Sequence, residues 1–280
     1  MRTTVGAMAA ARARGERIAM VTAYDYTSAQ WAERAGLRWL LVGDSVGTVV
    51  QGLETTIPVT LDQMVYHAQM VVRGTHEALV VADLPFLTYA DVDEGLRAAG
   101  RLFQEAGVQA VKLEGAGATL EVIAALVERG LPVMAHLGYT PQSAHAFGRQ
   151  IVRGKTVDAA RRLLVEAREV AEAGAFAVVL ECLPAQLAAR VTAESPIPTI
   201  GIGSGPDCDG QVQVWHDVLG LNPDFTPRHA GAFADLGEAT RGALETYREQ
   251  VAAGEFPTEQ HSTQLPEETM RALIRAVGSA

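Results

Sequence analysis

The stretch Leu40-Leu41-Val42-Gly43-Asp44-Ser45-Val46-Gly47 reads as a buried strand that delivers a carboxylate and a hydroxyl onto a glycine-flanked loop. Residues 39–42 are apolar at every position, so both strand faces need cover, as in a parallel sheet layered with helices. Asp44 then stands where the chain leaves the core. The same unit recurs on either side. Residues 18–23 form an earlier apolar strand, and 78–82 form a later one that ends at Asp83. Residues 108–113 carry Lys112 and reach Glu114, 132–135 deliver His136, and 176–180 deliver Glu181. Residues 198–202 run into the glycines of 201–205, and 212–215 form a last short strand arriving at His216 and Asp217.

Between these strands the pattern predicts helices over 28–35, 61–72 (capped by Thr60), 92–106, 120–129, 157–173 and 185–191. Gly36, Gly74, Gly107, Gly130 and Gly174 stand at the expected helix stops, where a residue tolerant of positive φ suits a C-cap. A polar loop is expected over 138–154. The alternation counts about eight units over roughly 250 residues, which fits a closed (β/α)8 TIM barrel better than an open doubly wound sheet. We expect one domain, with the barrel over about 17–222 and a polar C-terminal helical extension over 223–280. That extension should pack outside the barrel or onto another subunit, with helices near 233–253 and 266–276. The Ala- and Arg-rich residues 1–16 read as a short N-terminal segment, either a helix outside the main fold or a frayed end.

At 280 residues and 48% hydrophobic content, the chain can bury a large core without staples. The formal charge of −10 argues against nucleic acid or an anionic membrane as partner, because both are held by clustered cations. Two cysteines, Cys182 and Cys208, cannot build a disulfide framework, and no early apolar run has the form of a signal peptide or membrane span. A cytoplasmic protein is the expectation.

In a parallel barrel all strand ends of one polarity open into one mouth. Asp44, Asp83, Lys112, Glu114, His136 and Glu181 are therefore expected to meet. Each alone would read as a helix cap or turn residue. Together, three carboxylates converging on one mouth demand a cation, and oxygen ligands suit Mg²⁺. Asp44 and Asp83 are expected as direct ligands, with Glu114 more distant or acting through water. Lys112, two residues before Glu114 on one face, would neutralise an anionic substrate or a developing enolate. Glu181 ends a strongly apolar strand, a setting that suits a working base. His136 could touch substrate or orient a neighbour. His216, Asp217 and the glycines of 201–205 are weaker candidates; the glycines could cradle a phosphate or only allow close packing.

Seven blocks carry a resemblance: Thr22-Ala23-Tyr24-Asp25-Tyr26, Val42-Gly43-Asp44-Ser45-Val46-Gly47, Thr56-Ile57-Pro58-Val59-Thr60, Ala82-Asp83-Leu84-Pro85-Phe86, Val111-Lys112-Leu113-Glu114-Gly115, His136-Leu137-Gly138-Tyr139-Thr140-Pro141-Gln142 and Gly201-Ile202-Gly203-Ser204-Gly205. In this order, from about residue 17 to 260, the chain resembles the ketopantoate (3-methyl-2-oxobutanoate) hydroxymethyltransferase family. The resemblance implies a (β/α)8 barrel that transfers a hydroxymethyl group from 5,10-methylenetetrahydrofolate to 3-methyl-2-oxobutanoate through a metal-stabilised enolate, in pantothenate biosynthesis. It implies Asp44, Asp83 and Glu114 as the acids of a Mg²⁺ site, and Asp44, Ser45, Asp83 and Lys112 as keto-acid contacts. It also implies Glu181 as catalytic base and a homodecamer as the assembly. Leu53 and Tyr139 depart from the family's usual residues without touching that chemistry. No residue signature locates the folate. The rival expectation is a Mg²⁺-dependent carbon–carbon lyase acting on 2-oxo acids; a silent organic-acid-binding barrel is a rival of another class.

Overall fold

The computed structural model of the protein describes residues 2–148, 152–223 and 227–278. After helix α1 (Val5–Ala13) come β1 (Ile18–Thr22), α2 (Tyr26–Arg34), β2 (Trp39–Val42), α3 (Val46–Val49), α4 (Leu61–Arg73) and β3 (Leu79–Asp83). The alternation continues with α5 (Val92–Arg101), β4 (Ala110–Glu114), α6 (Thr119–Glu128), β5 (Val133–Gly138), α7 (Ala144–Phe147), α8 (Val157–Glu172) and β6 (Ala177–Glu181). It finishes with α9 (Ala185–Glu194), β7 (Thr199–Ile202), β8 (Gly210–Gln213) and α10 (Trp215–Val218). Every strand pairs in parallel with the next, and β8 closes on β1 with Ile18 opposite Gly210. The fold is a (β/α)8 barrel.

Strand side chains alternate between the barrel interior and the helix layer. Leu40, Val42, Val80, Val111 and Leu180 face outward into the helices, while Met20, Leu41, Val81, Met134, Val179 and Val212 fill the interior. Each such burial contributes about 1.5–3 kcal/mol, which explains why the runs are apolar at every position. One step further along the inward rows the residues become polar: Thr22, Asp83, Lys112, His136 and Glu181, all buried. The interior is thus an apolar floor under a charged upper layer.

The N-terminal segment is neither frayed nor outside the fold. In α1, Met8 and Ala11 are fully buried in the interior cluster with Ile18 and Met20, so this helix seals the amino end of the barrel. Nine residues without a side-chain N-cap would be marginal alone, and packing holds them. Arg12 adds a clasp: its Nη2 donates to the carbonyls of Thr192 and Ser195, and its Nε lies 3.3 Å from Asp209 Oδ2.

Four of the five expected helix-stop glycines have positive φ, but Gly74 does not. A Cβ at Gly74 would lie 2.5 Å from Tyr26 O and 2.9 Å from Ala29 Cβ, so this glycine permits close approach of α4 to α2. The loop expected over 138–154 contains a 3₁₀ turn, Pro141–Ser143, and α7; its residues 149–151 lie outside those described. The last strand ends at Gln213, so His216 and Asp217 lie in α10 and not at a strand end. The chain divides into two compact units, Met1–Ala234 and Asp235–Ala280. The second contains α11 (Leu236–Ala253) and α12 (Glu267–Val277), neither with a buried residue. Of the extension expected over 223–280, residues 224–226, 279 and 280 lie outside the description. Among the described residues no helix is long and apolar enough to cross a membrane.

Candidate active site

Register brings the polar layer together. Asp83 sits beside Lys112, Glu114 beside His136, and Gly138 beside Glu181 on adjacent strands. Lys112 Nζ lies 3.0 Å from Asp83 Oδ1, and both side chains are buried. Asp83 Oδ2 accepts the backbone N–H of Asp44 at 3.0 Å, which ties the loop after β2 to the end of β3. Gly43 precedes that tie, and a Cβ there would crowd Ser45 Oγ at 2.7 Å. Ser45 Oγ is in turn 2.8 Å from the buried Tyr24 hydroxyl.

His136 bridges two acids, its Nδ1 lying 3.3 Å from Glu114 Oε1 and its Nε2 3.2 Å from Glu181 Oε2. Burial and the nearby Lys112 ammonium oppose charge on this ring, but the two carboxylates outweigh them and raise its pKa to about 9. The imidazolium has two donors, one for each acid. The 3.4 Å approach of Lys112 Nζ to Nδ1 is then a contact between cations, tolerated amid carboxylates. Lys112 is itself held charged: burial disfavours the ammonium, but Asp83, Glu114 and Asp44 push its pKa up. Burial drives Asp44 well above the carboxylate range, helped by repulsion from Asp83 and Glu114. Asp83 is also raised by burial, although Lys112 opposes the shift.

Sequence reasoning missed the residue that joins the acids. Gln142, buried in the turn after β5, donates from Nε2 to Asp44 Oδ2 at 2.8 Å and from its backbone N–H to Glu114 Oε2 at 3.0 Å. Tyr89 holds it by donating its hydroxyl to Gln142 Oε1 at 2.6 Å, and accepts from Glu114 N at 3.2 Å. Gln142 lies in one of the quoted blocks, and a buried glutamine behind a proline was the available signal. The chain leaves Glu181 sharply: Cys182 has φ of 51°, unusual outside glycine. Its N–H donates to Ile202 O and its carbonyl accepts from Arg153 N, both at 2.9 Å, which pins the turn that aims Glu181 inward.

The remaining candidates separate. Among the 201–205 glycines, a Cβ at Gly201 would lie 3.0 Å from Cys208 Sγ and one at Gly205 2.5 Å from Ala185 Cβ, so these serve close packing. His216 tilts against the Tyr24 ring at 5.6 Å between centroids. Asp217 is buried and accepts from Asn222 Nδ2 at 2.8 Å.

The donor set fits a hard divalent cation. Asp83 Oδ1 and Glu114 Oε1 are buried without a hydrogen bond of good geometry, despite their ion-pair distances. The crowded acids lack enough positive charge. Among the described residues no three His, Cys, Asp or Glu side chains form a ready-made metal cage. The linked carboxylates of Asp44 and Asp83 suit Mg²⁺, which takes one or two carboxylates and completes its shell with water and substrate oxygens. Six of the named groups, together with Ser45, line an inner cavity of about 190 Å³. It shares Ser45, Thr56, Pro141, Glu181 and Asp217 with an outer cavity of about 640 Å³.

Fold and site together define an enzyme of the (β/α)8-barrel class. The family model described as ketopantoate hydroxymethyltransferase matches residues 2–259. A 3-methyl-2-oxobutanoate hydroxymethyltransferase of Chloroflexus aurantiacus is 54% identical over 274 residues, covering 98% of this chain and 97% of its own. One of Gluconacetobacter diazotrophicus is also 54% identical, covering 98% and 99%. The chain belongs to the ketopantoate hydroxymethyltransferase family. Among solved structures, a phosphonopyruvate hydrolase superposes with a TM-score of 0.62 at 13% identity, covering 98% of each chain, a likeness of fold alone.

Proposed function

We propose that this protein transfers a hydroxymethyl group from 5,10-methylenetetrahydrofolate to 3-methyl-2-oxobutanoate, forming ketopantoate for pantothenate biosynthesis. The observation that carries the reading is the inner cavity, where a buried lysine, two linked acids and the His136–Glu181 pair converge in a member of this family. Asp44 and Asp83 would hold Mg²⁺, with Glu114 behind them. When bound, the ion supplies Lewis-acid stabilisation to the keto and carboxylate oxygens of the substrate.

Lys112, held charged, faces the same anionic oxygens and favours the enolate over the ketone. Ser45, fixed by Tyr24, supplies a hydroxyl to the carboxylate end. Glu181 takes the proton from C3, and His136 keeps its carboxylate oriented. The enolate carbon then bonds to the folate methylene as one of its two C–N bonds breaks; water attacks the same carbon, the second C–N bond breaks, and the two folate nitrogens take up the proton held by Glu181 and one from water, leaving a hydroxymethyl group on C3 and tetrahydrofolate. The lyase reading has only a likeness of fold behind it. A homodecamer and a cytoplasmic location belong to the same proposal, supported by family membership.

The test is exchange of the C3 proton of 3-methyl-2-oxobutanoate into deuterated water with Mg²⁺, followed by NMR. Wild-type protein should exchange it, and should yield ketopantoate only when the folate is added. Glu181→Gln should lose exchange by about 10²–10⁴-fold while binding the keto acid nearly as before. Undiminished exchange would remove Glu181 from the role of base.

A further inference from the structure

We infer that Asp217 is the residue that recognises the one-carbon donor, its carboxylate pairing with the 2-amino and N3–H donors of a reduced pterin bound in the outer cavity. The inference rests on the folate reading above and gives that co-substrate a site. The donor must present its methylene to the carbon that Glu181 deprotonates. The outer cavity of about 640 Å³ shares Glu181 with the inner one, so it offers a bicyclic ring direct approach to that carbon.

Its walls suit a flat ring with one polar edge. Val49, Leu53 and Pro141 give apolar surface, and Tyr139 adds an aromatic face. Leu53 and Tyr139 are the two departures noted in the sequence, and both lie on this wall. A pterin's 2-amino-4-oxo edge presents two adjacent donors, the arrangement that a carboxylate accepts side by side. Three carboxylates line the outer cavity, and two of them are unsuitable. Glu181 is engaged with His136 at 3.2 Å, and Glu54 is exposed to solvent. Asp217 is 6% exposed and borders both cavities. Asn222 Nδ2 donates to its Oδ1, the His229 side chain on the inner-cavity wall lies near enough to act on it electrostatically, and no hydrogen bond from the described residues reaches Oδ2. A buried, oriented acid with an unused oxygen discriminates strongly for a ligand that supplies the missing donors.

The experiment compares binding of tetrahydrofolate and of its analogue lacking the 2-amino group, by calorimetry with Mg²⁺ and 3-methyl-2-oxobutanoate present. In wild-type protein, removal of the amino group should weaken binding about 10- to 100-fold, and Asp217→Asn should weaken tetrahydrofolate binding by a similar factor. In Asp217→Asn the two ligands should bind within about threefold of each other, a loss of discrimination that a purely structural role for Asp217 would not produce. The wild-type comparison needs no variant, so it stands even if the substitution impairs folding. Equal binding of the two ligands by wild type, or full discrimination in the variant, overturns the assignment while leaving the transfer reaction intact. Wild-type protein that exchanges the C3 proton but binds no tetrahydrofolate overturns the folate reading and the assignment together.

Discussion

Gln142 carries the most at the scale of one residue, because it joins Asp44 and Glu114 through two different donors. Groups that orient a metal's carboxylates typically matter to affinity nearly as much as the ligands do. Gln142→Ala should weaken Mg²⁺ binding about 10- to 100-fold by calorimetry, with an unchanged circular dichroism spectrum. Unaltered affinity would mean that Asp44 needs no orientation. The contrast with the charged residues shows what was legible in the chain. Asp83, Lys112, Glu114 and Glu181 could be read because each stands on or just past a run of apolar residues, and a closed sheet forces such ends together. The contacts of Gln142 and Tyr89 could not be read because their partners lie 98 and 53 positions away across loops, where no periodicity reports on contact.

At the scale of elements, the join between α2 and β3 rests on Glu33. Its carboxylate accepts the backbone N–H groups of His76, Glu77 and Ala78 at 2.7–3.0 Å. Partial burial pushes this carboxyl up, but those bonds outweigh it and hold its pKa below the ordinary value. A depressed folded pKa gives stability that is present above the unfolded value and lost as pH falls through the folded one. Glu33→Gln should therefore cost about 1–2 kcal/mol at pH 7, allowing for partial exposure, and the gap from wild type should close as the solution is acidified below the usual glutamate range. Thermal melts across that range measure it, and a gap that widens in acid would refute the account. Helix α1 gives a second case. Met8→Ala should cost about 2–5 kcal/mol in denaturant unfolding, since it empties a fully buried position. The packing of this helix escaped the sequence reading because only Met8 and Ala11 of its nine residues are buried, too few to mark a stripe. Gly74 misled for a related reason: a glycine signals either left-handed backbone or close approach, and the chain alone does not say which.

For the barrel as a whole, the fold was legible because eight repeats of one unit leave little choice of architecture, whereas the two nested cavities arise only when distant loops meet over the mouth. Met8 and Ala11 of α1 pack under the apolar interior, and the cavities that reach the acids lie at the carboxyl ends of the strands. In the proposed reaction, substrate, water and product would all pass through those openings. On that proposal, a hydrogen that Glu181 takes from C3 while the outer cavity is occupied would return to the carbon it left. Wash-in of deuterium at C3 should accordingly slow several-fold when tetrahydrofolate saturates the enzyme, even though that ligand carries no carbon to transfer. The apolar layer that fills the far end of the barrel would then govern the isotopic memory of the substrate without touching it.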